Sequence, residues 1–147
     1  REWFGKILDE WEQTHEQHDV LLSLMDAAAF FFEQKEAQAI QQCLRIFSAI
    51  CKKTGNNEAL GCLAFGLGLN AVLNGQHATA LEHLADARKY LEPLHIPYQL
   101  ILTDLETGKC LILENEVEKA RNLLQDLLLR TKKMGLAPLS SEITSLL

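Results

Sequence analysis

Two glycines at short spacing, Gly66 and Gly68, are the first feature of this sequence with a chemical interpretation. A dinucleotide-binding loop needs three glycines in the order GxGxxG, placed between a strand and a helix, so that the backbone can approach a pyrophosphate. Here the third glycine is missing at that spacing, and the flanking residues have helical apolar periodicity. We therefore expect no nucleotide cofactor at this site.

Histidine and acidic residues cluster in the segment THEQHD, which contains His15, Glu16, His18 and Asp19. A zinc-binding helix places two histidines at i and i+4, whereas these two are at i and i+3. The sequence also offers no obvious third ligand. The segment predicts a solvated polar turn and no metal site.

The other histidines, His77, His83 and His95, have no serine or cysteine at a spacing that indicates a catalytic triad. The three glutamates between residues 114 and 118 flank a predicted turn and helix start, where negative charge is favoured. We expect no catalytic residue, no cofactor and no enzymatic activity.

Composition and charge argue against contacts with nucleic acid or membrane. The chain has 147 residues and a formal charge of -6, which opposes binding to a phosphate backbone. Its basic clusters, Lys52–Lys53 and Arg130–Lys133, lie where apolar-periodic runs end, a position that suits cations at helix termini. No apolar run approaches the ~18 residues of a membrane span. The four cysteines have neither metal-binding nor disulfide spacing, so we expect reduced thiols and a cytoplasmic location.

Three stretches of the sequence align without gaps at a spacing near forty residues. They are DAAAFFFEQKEAQAIQQCLRIF from residue 26, LGLNAVLNGQHATALEHLADAR from residue 67 and TGKCLILENEVEKARNLLQDLL from residue 107. Gly68 and Gly108 are 40 residues apart, and so are Ala80 and Ala120. The equivalent positions of the first stretch, 41 residues earlier, are Ala27 and Ala39.

Each aligned unit consists of two apolar-periodic runs separated by a short polar turn, which predicts a helical hairpin. One hairpin cannot cover its own apolar face, whereas stacked neighbours bury a continuous core. Within a single domain 1–147, the predicted parts are a preceding helix or cap at 1–17, repeats at 18–55, 56–96 and 97–136, and the start of a fourth repeat at 137–147. We expect a piece of a longer protein.

Apolar faces near both ends of the sequence allow self-association. At the start they contain Trp3, Phe4, Ile7, Leu8 and Trp11, and at the end Ile143 and Leu146. Contiguous apolar surface left without its natural neighbours favours contact with another chain.

Gly68 and Gly108 each lie in the middle of a predicted first helix. Glycine at such a position costs on the order of 1 kcal/mol against alanine. We expect close contact between the two helices of a hairpin to offset this cost.

The pattern resembles the tetratricopeptide repeat, which has a small residue in its first helix, a glycine at its turn and small or apolar residues in its second helix. The second unit carries the pattern best, and the third has Asn115 at the turn. The matching structural positions are Gly68, Gly75, Ala80, Ala87, Gly108 and Ala120. The resemblance implies an all-α superhelix of stacked antiparallel helix hairpins with a period of ~40 residues.

The long period and the connector KKMGLAPLSSEI resemble repeats of the bacterial maltose-activator type. Such repeats form the sensor arms of multidomain signalling ATPases that regulate transcription. Neither an ATPase core nor a DNA-reading module lies in this sequence, so the resemblance implies an arm without those activities.

The resemblance implies a non-enzymatic protein-interaction scaffold, or an arm that relays a signal within its parent chain. The partner would be a protein, a peptide or another domain of the same chain, bound along an inner groove of the first helices. The predicted groove residues are Leu24, Phe31, Phe32, Phe65, Leu69, Val72, Leu73, Leu105, Lys109, Ile112 and Leu113. Because most are apolar, an amphipathic helix or an extended apolar peptide fits better than a charged tail.

Two alternatives to this groove remain open. The same apolar residues are consistent with core packing between neighbouring helices. A small-molecule effector is the other possible ligand, with Lys109 as the obvious polar anchor among apolar walls.

Overall fold

A computed structural model describes residue 6 and residues 17–147 of the chain. Within residues 17–147 the backbone forms seven α-helices and one short 3-10 helix, at Glu92–Leu94. The α-helices are α1 (Gln17–Glu33), α2 (Ala37–Thr54), α3 (Asn57–Leu73), α4 (His77–Leu91), α5 (Pro97–Leu113), α6 (Val117–Lys133) and α7 (Ala137–Leu146). No strand occurs in this part of the chain, so the predicted all-α class is confirmed for it.

Predictions for the start of the chain divide between residues inside and outside the described part. The apolar face from Trp3 to Trp11 lies outside the described residues, as do His15 and Glu16. His18 and Asp19 belong to the first turn of α1, so the polar turn predicted for them is wrong. The helix includes the last three residues of the segment THEQHD, from Gln17 to Asp19.

The helix starts recur at a fixed interval. Helices α1, α3, α5 and α7 begin at residues 17, 57, 97 and 137, and α2, α4 and α6 begin at residues 37, 77 and 117. Each step is forty residues, so Ala28 and Ile40 correspond to Gly68 and Ala80. The alignment of Ala27 and Ala39 with those positions is therefore wrong by one residue. Ala28 and Ile40 are both fully buried, which shows that burial fixes the register.

A residue in the left-handed region of backbone space follows each of the helices α1 to α6. These residues recur every twenty positions, at Lys35, Gly55, Gly75, His95, Asn115 and Gly135, with φ between 54° and 73°. After α3, the Gly75 N–H donates to the Val72 carbonyl at 3.0 Å and the Gln76 N–H donates to the Ala71 carbonyl at 2.8 Å. This pair of bonds is the Schellman pattern, which satisfies carbonyls at a helix end and favours glycine at the left-handed residue.

Both mid-helix glycines face a leucine of the following helix. A Cβ built on Gly68 would lie 3.0 Å from Leu84 Cδ2, and one built on Gly108 would lie 2.7 Å from Leu124 Cδ2. Contacts this short leave room for hydrogen only, so α3 packs closely on α4 and α5 on α6. The predicted close approach is present at both positions.

The remaining structural repeat positions are also placed as the pattern requires. Ala80 and Ala87 of α4 are fully buried, and Ala120 of α6 is nearly so. Gly75 occupies the exposed turn between α3 and α4. Small residues therefore lie at the helix contacts and glycine at the turn.

Two groups of buried apolar residues form most of the core. The larger group draws mainly on α1 to α4, and the second group joins Ile101 and Leu105 of α5 to Leu124 and Leu127 of α6 and Ile143 of α7. Ile143 is fully buried, so the exposed apolar face predicted around it is wrong. Helices α5 and α6 already cover that residue.

The four cysteines are free thiols. Cys43, Cys62 and Cys110 are buried, and burial raises the pKa of the Cys43 thiol to about 12 and that of Cys110 to about 11. Thiols with such pKa values are protonated and chemically inert near neutral pH.

None of the helices in the described part of the chain has the length and apolar character needed to cross a membrane.

Candidate interaction surface

Four of the predicted groove residues belong to the core. Leu24 of α1, Phe65 and Leu69 of α3, and Leu105 of α5 are at most 3% exposed. Side chains with so little exposed surface cannot touch a partner from the positions they hold. Their assignment to an open groove is therefore corrected, because neighbouring helices cover the faces that periodicity marks as apolar.

The other apolar groove residues remain partly open to solvent. Phe31 and Phe32, Val72 and Leu73, and Ile112 are half-buried and pack against the core, whereas Leu113 is 53% exposed. These six residues lie at the carboxyl ends of α1, α3 and α5, and we refer to them as the apolar rim. Positions 32, 72 and 112 are forty residues apart, so three first helices present apolar side chains at the same register.

Lys109 does not extend freely into a groove. Its Nζ lies 2.8 Å from Glu33 Oε1 of α1, 2.8 Å from Glu142 Oε2 of α7 and 3.3 Å from Glu106 Oε2 of its own helix. The lysine therefore joins three helices, and its partner Glu33 lies 76 residues before it in the sequence. The prediction that Lys109 is a polar anchor for a small ligand is not supported, because carboxylates of the same chain already surround it.

The electrostatics of this ion cluster are set by burial. Burial raises the pKa of the Glu106 carboxyl to about 7, and the nearby carboxylates of Glu33 and Glu142 add to this effect while Lys109 opposes it. Burial by itself lowers the pKa of Lys109, but the three carboxylates outweigh it and raise that pKa above its ordinary value. The ammonium is therefore charged at neutral pH, and Glu106 is the member of the cluster that titrates near pH 7.

Further polar contacts join the first helices to each other. The Tyr98 hydroxyl of α5 donates to Asp26 Oδ1 of α1 at 2.8 Å. Burial and this hydrogen bond to Asp26 raise the pKa of Tyr98 to about 12. Glu58 of α3 accepts from Gln99 of α5 at 3.1 Å and also contacts the His18 ring of α1. Helices α1, α3 and α5 thus meet along one side of the molecule.

Some of these contacts carry a signal in the sequence. His18 and Glu58 are forty residues apart and occupy the same register of successive first helices. A search for complementary polar residues at the repeat spacing identifies this pair. Glu33 and Glu142 have no such relation to Lys109, so only the packed structure brings those three together.

A buried acidic residue between two arginines is a second polar feature that sequence reasoning missed. Asp104 of α5 is 3% exposed at its side chain. It accepts from Arg88 Nη1 of α4 at 2.6 Å and from Arg130 Nη2 of α6 at 2.7 Å. The carboxylate therefore connects the first helix of one pair to the second helices of two pairs.

The residues first considered for catalysis or metal binding do not converge. His77 Nδ1 lies 3.9 Å from Glu114 Oε2, and His83 and His95 belong to α4 and to the connector before α5. Across the residues with described positions, no group of three or more His, Cys, Asp and Glu side chains is arranged to hold a metal ion. These histidines are accounted for as parts of helix ends and surfaces.

Comparison with known proteins gives no relative for this chain. No protein-family model, no curated protein and no solved structure matches it. The functional assignment therefore depends on the residues of this chain, with the apolar rim and the Lys109 ion cluster as its main surface features.

Proposed function

We propose that the chain is a non-enzymatic protein-interaction scaffold, or a relay arm of a cytoplasmic regulatory protein, built as a tetratricopeptide-like superhelix. Three observations support this proposal: helix starts every forty residues, left-handed turn residues every twenty, and close helix contacts at Gly68 and Gly108. Repeats stacked in this way present equivalent residues of successive units on one extended surface.

The apolar rim is the observation that favours a peptide or helix as the ligand. Five of its six side chains pack against the core, so binding costs them little side-chain entropy, and all six keep exposed surface for a partner. Fully burying a Leu, Ile or Phe side chain stabilises a complex by about 1.5–3 kcal/mol. Because five of the six rim side chains are already half-buried, a partner with apolar residues on one face would gain part of this free energy at several positions in a row.

The rim also gives the relay alternative a physical basis. A neighbouring domain of the same chain that docked on it would cover the ends of α1, α3 and α5 together. Because Lys109 forms ion pairs with α1 and α7, docking on the rim would also affect the positions of these two helices, which are far apart in sequence. The proposed regulatory arm of the maltose-activator type would use its repeats in this way.

Selection of peptides and a matched pair of variants test the proposal. Random peptides displayed on phage are selected against the whole chain, and the affinities of the selected peptides are measured by fluorescence anisotropy. Leu113→Glu, on the rim, is expected to weaken binding roughly ten-fold or more, as a charge at a central apolar contact does. Leu129→Glu, at an even more exposed leucine of α6, is the control and should leave binding unchanged.

Two outcomes reject the rim as the binding surface. In one, selection yields no peptide that binds the chain. In the other, peptides are obtained whose affinity is the same for the parent chain and the Leu113 variant, which places their site elsewhere.

A further inference from the structure

A cavity of about 440 Å³ opens between the start of α5 and the end of α6, away from the apolar rim. Its volume falls within the range of small-molecule sites, roughly 300–1,000 Å³. We refer to it as the α5/α6 pocket. Its walls are Pro97, Leu100 and Ile101 of α5, Arg130, Lys133 and Met134 at the end of α6, and Glu92 and His95 before α5.

The pocket exists because the α5/α6 pair is built differently from the pair before it. In the α3/α4 pair the equivalent of Ile101 is Gly61, forty residues earlier. A Cβ on Gly61 would lie 2.6 Å from Leu91 Cγ, so those two helices close on each other at this end. Ile101 adds a branched side chain at the same position, and Thr131 replaces the leucine opposite. The helices cannot close in the same way, and apolar surface lines the gap.

The polar groups at the pocket are predominantly cationic donors. Lys133 is exposed, and no carboxylate of residues 17–147 forms an ion pair with it. Arg130 Nη2 donates a hydrogen bond to Asp104. Its Nε lies 3.1 Å from Asp126 Oδ2 but forms no hydrogen bond. Glu92, the acidic residue of the wall, is held at 2.8 Å by Arg88 Nη2. An acceptor group on a ligand would find the unpaired Lys133 ammonium, with the partly exposed Arg130 guanidinium beside it, at one end of an apolar cavity.

We propose that the α5/α6 pocket binds a small molecule that has an apolar body and one carboxylate. The apolar body would lie against Pro97, Leu100 and Met134, and the carboxylate would accept from Lys133, with Arg130 beside it. Carboxylates and ammonium groups form the stronger, charge-assisted class of hydrogen bond. This site is separate from the apolar rim, so the inference does not depend on the proposed scaffold function.

A matched pair of probes tests the role of the carboxylate. Binding of 4-phenylbutyrate and of 4-phenylbutylamine to the whole chain is measured by isothermal titration calorimetry and by chemical-shift changes of backbone amides. The two molecules have the same apolar body and opposite charge. We expect 4-phenylbutyrate to bind at least ten-fold more tightly, with shifts concentrated at residues 97–101 and 130–134.

Three variants separate the site from nonspecific attraction. Lys133→Met keeps the aliphatic stem and should weaken 4-phenylbutyrate binding roughly ten-fold, because one charge-assisted contact is lost. Lys119→Met removes an exposed lysine outside the pocket and should change nothing. Glu92→Gln removes a negative charge from the wall and should tighten binding.

Several results overturn the proposal. They are the absence of measurable binding, equal affinity for the two probes, shifts located on the apolar rim, and an equal loss of affinity in the Lys119 and Lys133 variants. A folded Lys133 variant is verified by an unchanged circular dichroism spectrum, which is expected because its side chain is exposed.

Discussion

Replacing Glu106 with Gln tests whether burial controls the ion cluster. The Glu106 side chain is 7% exposed, and its pKa rises from 4.5 to about 7. A carboxyl whose pKa is higher in the folded state makes its full contribution to stability below pH 4.5 and loses it as the pH rises through 7. At about 1.4 kcal/mol per pKa unit, the charged form costs about 3 kcal/mol of folding free energy above pH 8.

The variant removes this cost because an amide stays neutral at every pH. We expect Glu106→Gln and the parent chain to differ little in stability at pH 4, and the variant to be more stable by about 2–3 kcal/mol at pH 9. Lys109 keeps its contacts with Glu33 and Glu142 in the variant, and those two carboxylates continue to favour its charged form. The direction of this stability change is informative, because the loss of an ion-pair partner is normally expected to destabilise a folded protein.

Urea unfolding followed by circular dichroism at pH 4, 5.5, 7 and 9 measures the difference. Glu118→Gln is the matched control, because that side chain is 82% exposed and pairs with Arg121 on the surface. Its effect should be within about 0.5 kcal/mol at every pH. A Glu106 variant that is less stable than the parent at pH 9, or a difference that does not change with pH, would refute the assignment of burial as the dominant cause.

Two substitutions test the helix contacts. Asp104→Asn should destabilise the chain by about 2–4 kcal/mol in urea unfolding, because two guanidinium groups lose their shared buried carboxylate. Asp126→Asn, which changes an exposed partner of Arg130, is the control and should cost under about 1 kcal/mol. Equal effects of the two substitutions would contradict the structure. Gly68→Leu should lower stability by about 1–3 kcal/mol in thermal melts through overpacking against α4. An unchanged melting temperature would contradict the close approach of α3 and α4 at Gly68. Ala85→Leu, on an exposed face of α4, is the control and should have little effect.

The helices and their order could be predicted well from the residues in this chain. Apolar residues three and four apart mark each helix, and polar turns such as LNGQH separate the two helices of a pair. Gly68 and Gly108 correctly indicated close contact, since a glycine within a helix needs a compensating interaction. These inferences succeed because hydrogen bonds along a helix and the face it buries depend on residues within one or two turns.

The alignment of the first repeat failed for a related reason. It matched Ala27 and Ala39 by residue type, whereas the packed positions are Ala28 and Ile40, where a larger side chain fills the place of an alanine. Periodicity also could not separate core from surface along one helix. Leu105 and Leu113 both fall on the predicted groove, yet one is buried and the other is more than half exposed.

Contacts between helices distant in sequence were decided by tertiary structure alone. Lys109 meets Glu33 and Glu142 only because the folded chain brings α1 and α7 within reach of this side chain of α5. The same packing buries Glu106 and raises its pKa, although nothing in the neighbouring sequence distinguishes it from a surface glutamate. Desolvation and charge pairing depend on which atoms surround a group in space, and a local pattern of residue types carries no information about those atoms.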